Sequence, residues 1–377
     1  MNVVAADAKS NVDLASTSCC SHEPAARIES WLLHSDIQLA DGAQEGGVAG
    51  WLDPEGQPEF VYPEIAGYYL TSMAWMAAGA VSSPQHVDIA RTRAQRTASW
   101  IADMMSSYAA PPTRLYLAEA PDDWRNDAVF SFDLAMAARG VALTGCGPGR
   151  AHRRTLARLC EWMDRISSGA GTMTSHEQVG HVTLPGRWST RPGPHHLKAA
   201  AAILRLDEAP TSLTSMADRT SLHWATVLLT DEWPCKELHA LCYGIEGLLI
   251  GDTGNGDFLD QAAMAFSRLM ELQSSDGTLA ETVDGGKIRS DVLAQALRIG
   301  LLLRGRGYLV GPDWADRLDA LAQVLTEFVR MDGGVLFERD QAIANTWCAM
   351  FAQQALFLYA RRHLVDPVPA AAFVYLV

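Results

Sequence analysis

Apolar and polar positions alternate along this chain in two different rhythms. Six segments open with a polar cluster and then run almost wholly apolar: PEIAGYYLTSMAWMAAGA from Pro63, NDAVFSFDLAMAARGVAL from Asn126, PHHLKAAAAILRL from Pro194, KELHALCYGIEGLLIG from Lys236, RSDVLAQALRIGLLL from Arg289 and ANTWCAMFAQQALFLYA from Ala344. A helix that is apolar around its whole circumference belongs in an interior. The segments preceding them, such as HVDIARTRAQRTASWIADMMSSY and DWADRLDALAQVLTEFV, space their apolar residues three and four apart with charges between. That is the pattern of a helix with one wet face. Strict alternation of the two kinds predicts an all-α fold, an (α/α)6 toroid of six helical hairpins with the apolar helices inside.

The connections support this count. Ser83-Pro84, Gly311-Pro312, Gly193-Pro194 and Gly256-Asp257 are helix-start signals, and DG or GG pairs close the preceding segments. The stretch from Asp276-Gly277 to Leu303 lines up with that from Asp332-Gly333 to Leu358, as expected of a repeated supersecondary unit. Each unit offers a short turn or strand before its inner helix. With no Ser/Pro/Gly linker inside the body, residues 24–363 read as one toroid domain. Residues 1–23 read as a disordered tail, since they lack a basic start followed by an apolar run. Residues 364–377, ending PVPAAAFVYLV, read as an apolar extension that covers the ring's flank or meets a second copy in a homodimer.

Composition narrows the partners. A formal charge of -14 and a pI near 5.2 argue against nucleic acid. No apolar stretch is long and charge-free enough to span a bilayer. Seven scattered cysteines (Cys19, Cys20, Cys146, Cys160, Cys235, Cys242 and Cys348) favour reduced thiols and a cytoplasmic setting.

In a ring of hairpins the inner helices run the same way, so their starts gather at one end. Unpaired N–H groups and positive dipole ends meet there. The polar clusters fall at that end. Glu64, Tyr68 and Thr71 lie at i, i+4 and i+7, and the same spacing recurs in His239, Tyr243 and Glu246 and in Asp291, Gln295 and Arg298. Buried polar stripes need partners, and a wet central cavity would supply them for all three. Asp127 shares a helical face with Ser131, whereas Asp133 points elsewhere. GRWSTRPGPHHLK concentrates Arg187, Trp188, Arg191, His195, His196 and Lys198; Arg125, Glu237, Arg289, Asn345 and Trp347 complete the rim. Trp124, Trp188 and Trp347 stand where an aromatic face can stack on a sugar.

Structural readings stand beside these. Glu64 follows Pro63 and suits a helix start; Asp127 and Asp291 can pair with Arg125 and Arg289; Glu246 reads as a buried structural carboxylate with Arg298 as its partner. HExxH, paired CxxC and EF-hand patterns are all absent, and neither GTGNGD near Gly254 nor GCGPGR near Gly145 forms a phosphate loop. No metal or cofactor is expected.

With its six hairpins, its polar rim and the segment GGVAGWLDPEGQPEFVYPEIAGYYL, the chain resembles the (α/α)6 toroid enzymes that act on carbohydrates: six-hairpin glycosidases, polysaccharide lyases, uronate epimerases and N-acylglucosamine 2-epimerases. The resemblance covers nearly the whole chain in architecture and implies a sugar in the central cavity. It also implies acid/base catalysis by Glu, Asp, His or Tyr. Terpene-cyclase toroids are less similar, because no DxDD motif is present and the Arg, His and Lys residues would line a cavity that a carbocation needs apolar. Glycoside hydrolysis needs two carboxyl groups, for which Glu64, Asp127, Glu237 and Asp291 are candidates. Proton abstraction beside a carbonyl needs a base and a cation, offered by His195, His196, His239 or Tyr243 with Arg125, Arg187, Arg191 or Arg289. The number of cations favours an epimerase or lyase acting on an anionic sugar, with Glu64, Asp127, His239, Tyr243 and Asp291 as the catalytic set. A ring that only binds is the remaining alternative.

Overall fold

The computed structural model describes residues 19–119, 121–144, 149–167, 169–252, 256–363 and 371–377. Outer and inner helices alternate along the chain: α1 (Cys19–His34) and α2 (Pro63–Ala77), α3 (Pro84–Ser107) and α4 (Ser131–Thr144), α5 (Arg150–Ile166) and α6 (His196–Leu204), α7 (Thr211–Leu228) and α8 (Leu238–Gly251), α9 (Asp257–Met270) and α10 (Ser290–Gly305), α11 (Pro312–Thr326) and α12 (Thr346–Ala360). Each inner helix packs on the next, and α12 returns to α2, so the ring closes. The inner helices are buried almost throughout. The outer α3 buries only one stripe, Ala90, Ala94, Thr97, Trp100, Ile101, Met104 and Met105, as its spacing requires. Four two-stranded antiparallel pairs decorate the loops before the inner helices. Among the described residues no helix is long and apolar enough to cross a membrane.

Two boundaries differ from the sequence expectation. Helix α1 begins at Cys19, so residues 19–23 belong to a helix rather than to a tail; residues 1–18 lie outside the described residues. Helix α4 begins at Ser131 instead of Asn126. Trp124–Asp127 form a 3-10 turn, and Ala128–Phe130 then run extended, pairing with His176–Gln178. Sheet pairing with a segment far along the chain thus overrides a helical pattern at this position.

Residues 371–377 do not cover the flank. They enter the axis of the ring from the end where the inner helices finish, and Leu376 and Val377 are fully buried. Four inner helices each supply a side chain to their main chain. Arg139 on α4 donates to the Leu376 and Val374 oxygens at 2.6 and 2.8 Å, Lys198 on α6 and Arg298 on α10 donate to the Val377 oxygen at 2.7 and 2.5 Å, and Gln354 on α12 donates to the Tyr375 oxygen at 2.8 Å. Buried main-chain oxygens need such partners. The lower part of the ring is therefore filled by these residues, whose main-chain oxygens the four side chains satisfy, while the helix starts lie at the opposite end.

Inner helices approach closely at glycines. A Cβ on Gly140 of α4 would stand 2.3 Å from the Gly67 carbonyl oxygen of α2, and one on Gly247 of α8 would stand 2.4 Å from the Lys198 nitrogen of α6. Those neighbours are backbone and cannot step aside. Gly140→Ala is expected to lower unfolding stability by about 1–3 kcal/mol, whereas Gly171→Ala, whose Cβ would meet nothing, should stay near wild type in the same denaturant titration. Equal midpoints for the two variants would contradict the close packing of α2 on α4.

Candidate functional site

The helix starts bring the polar residues into three groups around a shared aromatic floor. The first group is acidic. Glu64 lies in the first turn of α2 and Asp133 in the first turn of the neighbouring α4; Tyr62, just before α2, donates its hydroxyl to Asp133 Oδ2 at 3.3 Å. Burial raises the Glu64 carboxyl to about 7, while the adjacent Tyr62 hydroxyl and the charges of Lys198 and Arg114 hold it from going higher. Asp133 is raised well above the carboxylate range, by burial and then by the charge of Glu64. Two carboxyl groups that repel in a dry setting share protons. Near neutral pH this pair is a proton donor.

The second group centres on His239 of α8. Its Nδ1 lies 2.6 Å from Gln295 Oε1 and 3.4 Å from Asp291 Oδ2, both on α10. Burial lowers the imidazole to about 4, with Asp291 opposing the shift, so the ring is neutral at pH 7. Since an amide oxygen can only accept, Nδ1 carries the proton and Nε2 keeps its lone pair. Asp291 is fully buried and committed: it accepts from Arg289 Nε at 3.1 Å and Nη2 at 2.5 Å, and from Trp347 Nε1 at 3.4 Å.

The third group is the His195-His196 pair at the start of α6, buried, with all four ring nitrogens lacking a hydrogen-bond partner among the described residues. Burial lowers His195 well below its ordinary value and His196 to about 3. Unpartnered nitrogens in a polar pocket are places for a ligand hydroxyl or a bound water. Trp188 lies over this group, with ring centroids 5.0 Å from His195 and 5.7 Å from His239. It is half-buried and closes the floor made by Tyr243, Phe132, Tyr68 and Phe351. Tyr243 is the centre of that floor, 4.3 Å from His239, 4.9 Å from Phe132 and 6.3 Å from Tyr68. Among the described residues the buried Tyr68 hydroxyl has no hydrogen-bond partner.

Several sequence-predicted residues sit elsewhere or have other work. Asp127 is held in its turn, where Oδ1 accepts from the His181 N–H at 3.0 Å against Gly180. It follows from the later start of α4 that Asp133, which a helix from Asn126 would have turned away, is the carboxyl beside Glu64. Arg125 pairs with Asp123 at 2.9 Å, not with Asp127, and stacks on Trp124. Arg187 and Arg191 are exposed on either side of Trp188, and Glu237 is half-buried just before α8. Asn345 caps α12 by accepting from the Cys348 N–H at 3.0 Å. Lys198 lies beneath the floor, its ammonium 4.9 and 4.5 Å from the Tyr68 and Tyr243 rings, and bonds Glu246 at 2.7 Å. Glu246 has the expected structural role and also pairs with Arg298.

Tyr62, Asp133 and Arg114 escaped selection as site residues. Arg114 comes from the loop after α3; its guanidinium lies 4.2 Å over the Phe60 ring, and its charge bears on both acids. Nothing in the local sequence marks it. Among the described residues no group of three or more His, Cys, Asp or Glu is arranged to hold a metal ion.

No protein-family model and no curated protein sequence matches the chain. Solved structures do match. Cellobiose 2-epimerase from Spirochaeta thermophila DSM 6192 is similar with a TM-score of 0.64 and 11% identity, covering 91% of this chain and 97% of its own. The GH76A alpha-1,6-mannanase from Salegentibacter sp. HEL1_6 is similar with a TM-score of 0.58 and 12% identity, covering 91% and 100%. The type II terpene cyclase MstE from Scytonema is similar with a TM-score of 0.54 and 14% identity, covering 91% and 99%. The chain thus has the six-hairpin toroid fold that the sequence pattern implies, and three reaction types share it.

The acid pair can be tested without any substrate. Glu64 in the folded chain holds its proton up to about pH 7, whereas the unfolded carboxyl loses it near the ordinary value of 4.5. Stability is therefore lost progressively as pH rises between those values, and the full cost is present above 7. Glu64→Gln removes that cost. The variant should exceed wild type by an amount on the order of 2 kcal/mol at pH 8 and match it near pH 4.5 in denaturant titrations; a variant no more stable at pH 8 would show that Glu64 ionises normally.

Proposed function

We propose that this protein is a carbohydrate-active enzyme of the epimerase or isomerase type, which abstracts a proton from the carbon beside a sugar carbonyl. One observation carries the reading: on one floor stand a neutral imidazole, His239, with a bare Nε2, and a carboxyl, Glu64, that stays protonated to about pH 7. The combination is a general base and a general acid set apart by environment. His239 Nε2 takes the proton, and the Glu64 and Asp133 pair donates to the carbonyl oxygen, giving a neutral enediol. Return of a proton to the same carbon or to its neighbour yields an epimer or an isomer. Trp188 offers a face for the sugar ring, and His195 and His196 offer acceptors or donors to its hydroxyls.

The geometry weighs against the other two chemistries of the fold. Of the four carboxylates open to a hydrolase role, Asp291 is buried in ion pairs and Asp127 is tied to a turn. A carbocation would meet the free lone pairs of three imidazoles. The activities of the similar cellobiose 2-epimerase and mannanase support a carbohydrate substrate, and the site favours the former kind of reaction.

Substrate charge is read differently from the cation count. Lys198 and Arg298 are paired with Glu246, Arg289 with Asp291, and Arg125 with Asp123. We therefore read the sugar as neutral at its reacting end, with Arg187 and Arg191 left for any anionic group at the rim.

The test is proton NMR of sugars with free reducing ends, incubated with the protein in deuterated water. Deuterium should appear at the carbon beside the carbonyl. His239→Gln should slow this exchange about 10²–10⁴-fold with helical content retained. The rate should rise with pH through about 4, where His239 becomes a free base, and fall through about 7, where the Glu64 proton is lost. New reducing ends without carbon-bound deuterium would instead establish hydrolysis and defeat the reading.

A further inference from the structure

We propose that Gln295 is a positioning residue that keeps the proton of His239 on Nδ1 and leaves Nε2 as the base; the catalytic half of this inference rests on the proton-abstraction reading above. Its basis is a chain of donors and acceptors with one solution. Glu246 is fully buried. Burial alone would raise its carboxyl, but Arg298 and Lys198 hold it below the usual range, so it is ionised and has no hydrogen to give. Gln295 meets Glu246 Oε1 at 3.4 Å and His239 Nδ1 at 2.6 Å, one with each end of its amide.

The orientation of an amide is decided by its partners. A carboxylate can only accept, so the NH2 end of Gln295 must face Glu246 and the oxygen must face His239. An amide oxygen can only accept, so His239 must present a hydrogen on Nδ1. Asp291 Oδ2, 3.4 Å from the same nitrogen, is a second acceptor and agrees. Nε2 is then left without a proton and, among the described residues, without a hydrogen-bond partner. The ionisation of a glutamate on α8 thus sets, through one amide on α10, which nitrogen of a histidine on α8 is basic. A substrate-binding role for Gln295, as its place in the polar stripe with Asp291 and Arg298 suggests from sequence, would leave its amide free; here both ends are engaged and the side chain is fully buried.

Long-range proton–nitrogen correlation spectra of protein labelled at histidine nitrogen read the tautomer directly, with His239 assigned by its absence in His239→Gln. Wild type should show a protonated Nδ1 and a bare Nε2. Gln295→Met keeps the bulk but removes both hydrogen bonds; it should move part of the proton to Nε2. Deuterium exchange should fall about 10–100-fold in kcat, as for other outer partners of functional histidines, with KM changed less than about twofold. A lost substrate contact would raise KM instead and overturn the proposal, as would an unchanged tautomer in Gln295→Met. Should that variant not fold, the wild-type spectrum decides alone, and a proton on Nε2 overturns it. If the tautomer behaves as expected and no sugar exchanges deuterium, the positioning role stands and the proton-abstraction reading falls.

Discussion

The buried charge cluster on the ring axis, Glu246 with Arg298 and Lys198, is the constraint around which the rest is arranged. All three side chains are fully buried, and a charge taken out of water is tolerable only when paired and hydrogen-bonded. Three inner helices, α6, α8 and α10, supply them. Lys198 and Arg298 also donate to the Val377 oxygen below, and Glu246 accepts from the Gln295 amide above. Removing one partner would strand the others, so helix placement, closure of the lower ring and orientation of His239 are bound together. Lys198, lowered to about 7 by burial against the pull of Glu246, is the member nearest to losing its charge.

A single lumen consequently has two characters. Below the plane of Tyr68, Tyr243 and Phe351, the charges of Glu246, Arg298 and Lys198 are satisfied by one another and by Val377. Above it, imidazole nitrogens and a protonated acid pair remain open to a ligand. Aromatic rings separate the halves, lie over the charges beneath and form the floor on which the proposed sugar would rest. The dry surroundings that neutralise His239 also hold the proton on Glu64, so one environment supplies both the base and the acid that the proposed reaction needs.

Much of the site was legible from helical periodicity. The stripes from Glu64, His239 and Asp291 converge on the axis, because residues at i, i+4 and i+7 share a face wherever the helix is placed. They are dry rather than wet in their lower parts, where Glu246 takes Arg298 and Lys198 as partners. Asp127 and Asp133 exchanged places for a single reason. Ala128–Phe130 pair with His176–Gln178, and the delayed start of α4 rotates which carboxyl faces Glu64. Arg114 carries no local mark at all, since its role depends on Phe60, Asp123 and two acids from other segments.

What the sequence by itself determined was the number of hairpins, the inner and outer layers and the end of the ring at which the polar clusters gather. Each follows from apolar spacing within one segment and needs no knowledge of the next. The tertiary structure decided which charges are spent and which remain free, which carboxyl joins Glu64, and that residues 371–377 fill the axis. Those outcomes are pairings between segments far apart in the chain, and pairing is set by distance in the folded ring, which local periodicity does not encode.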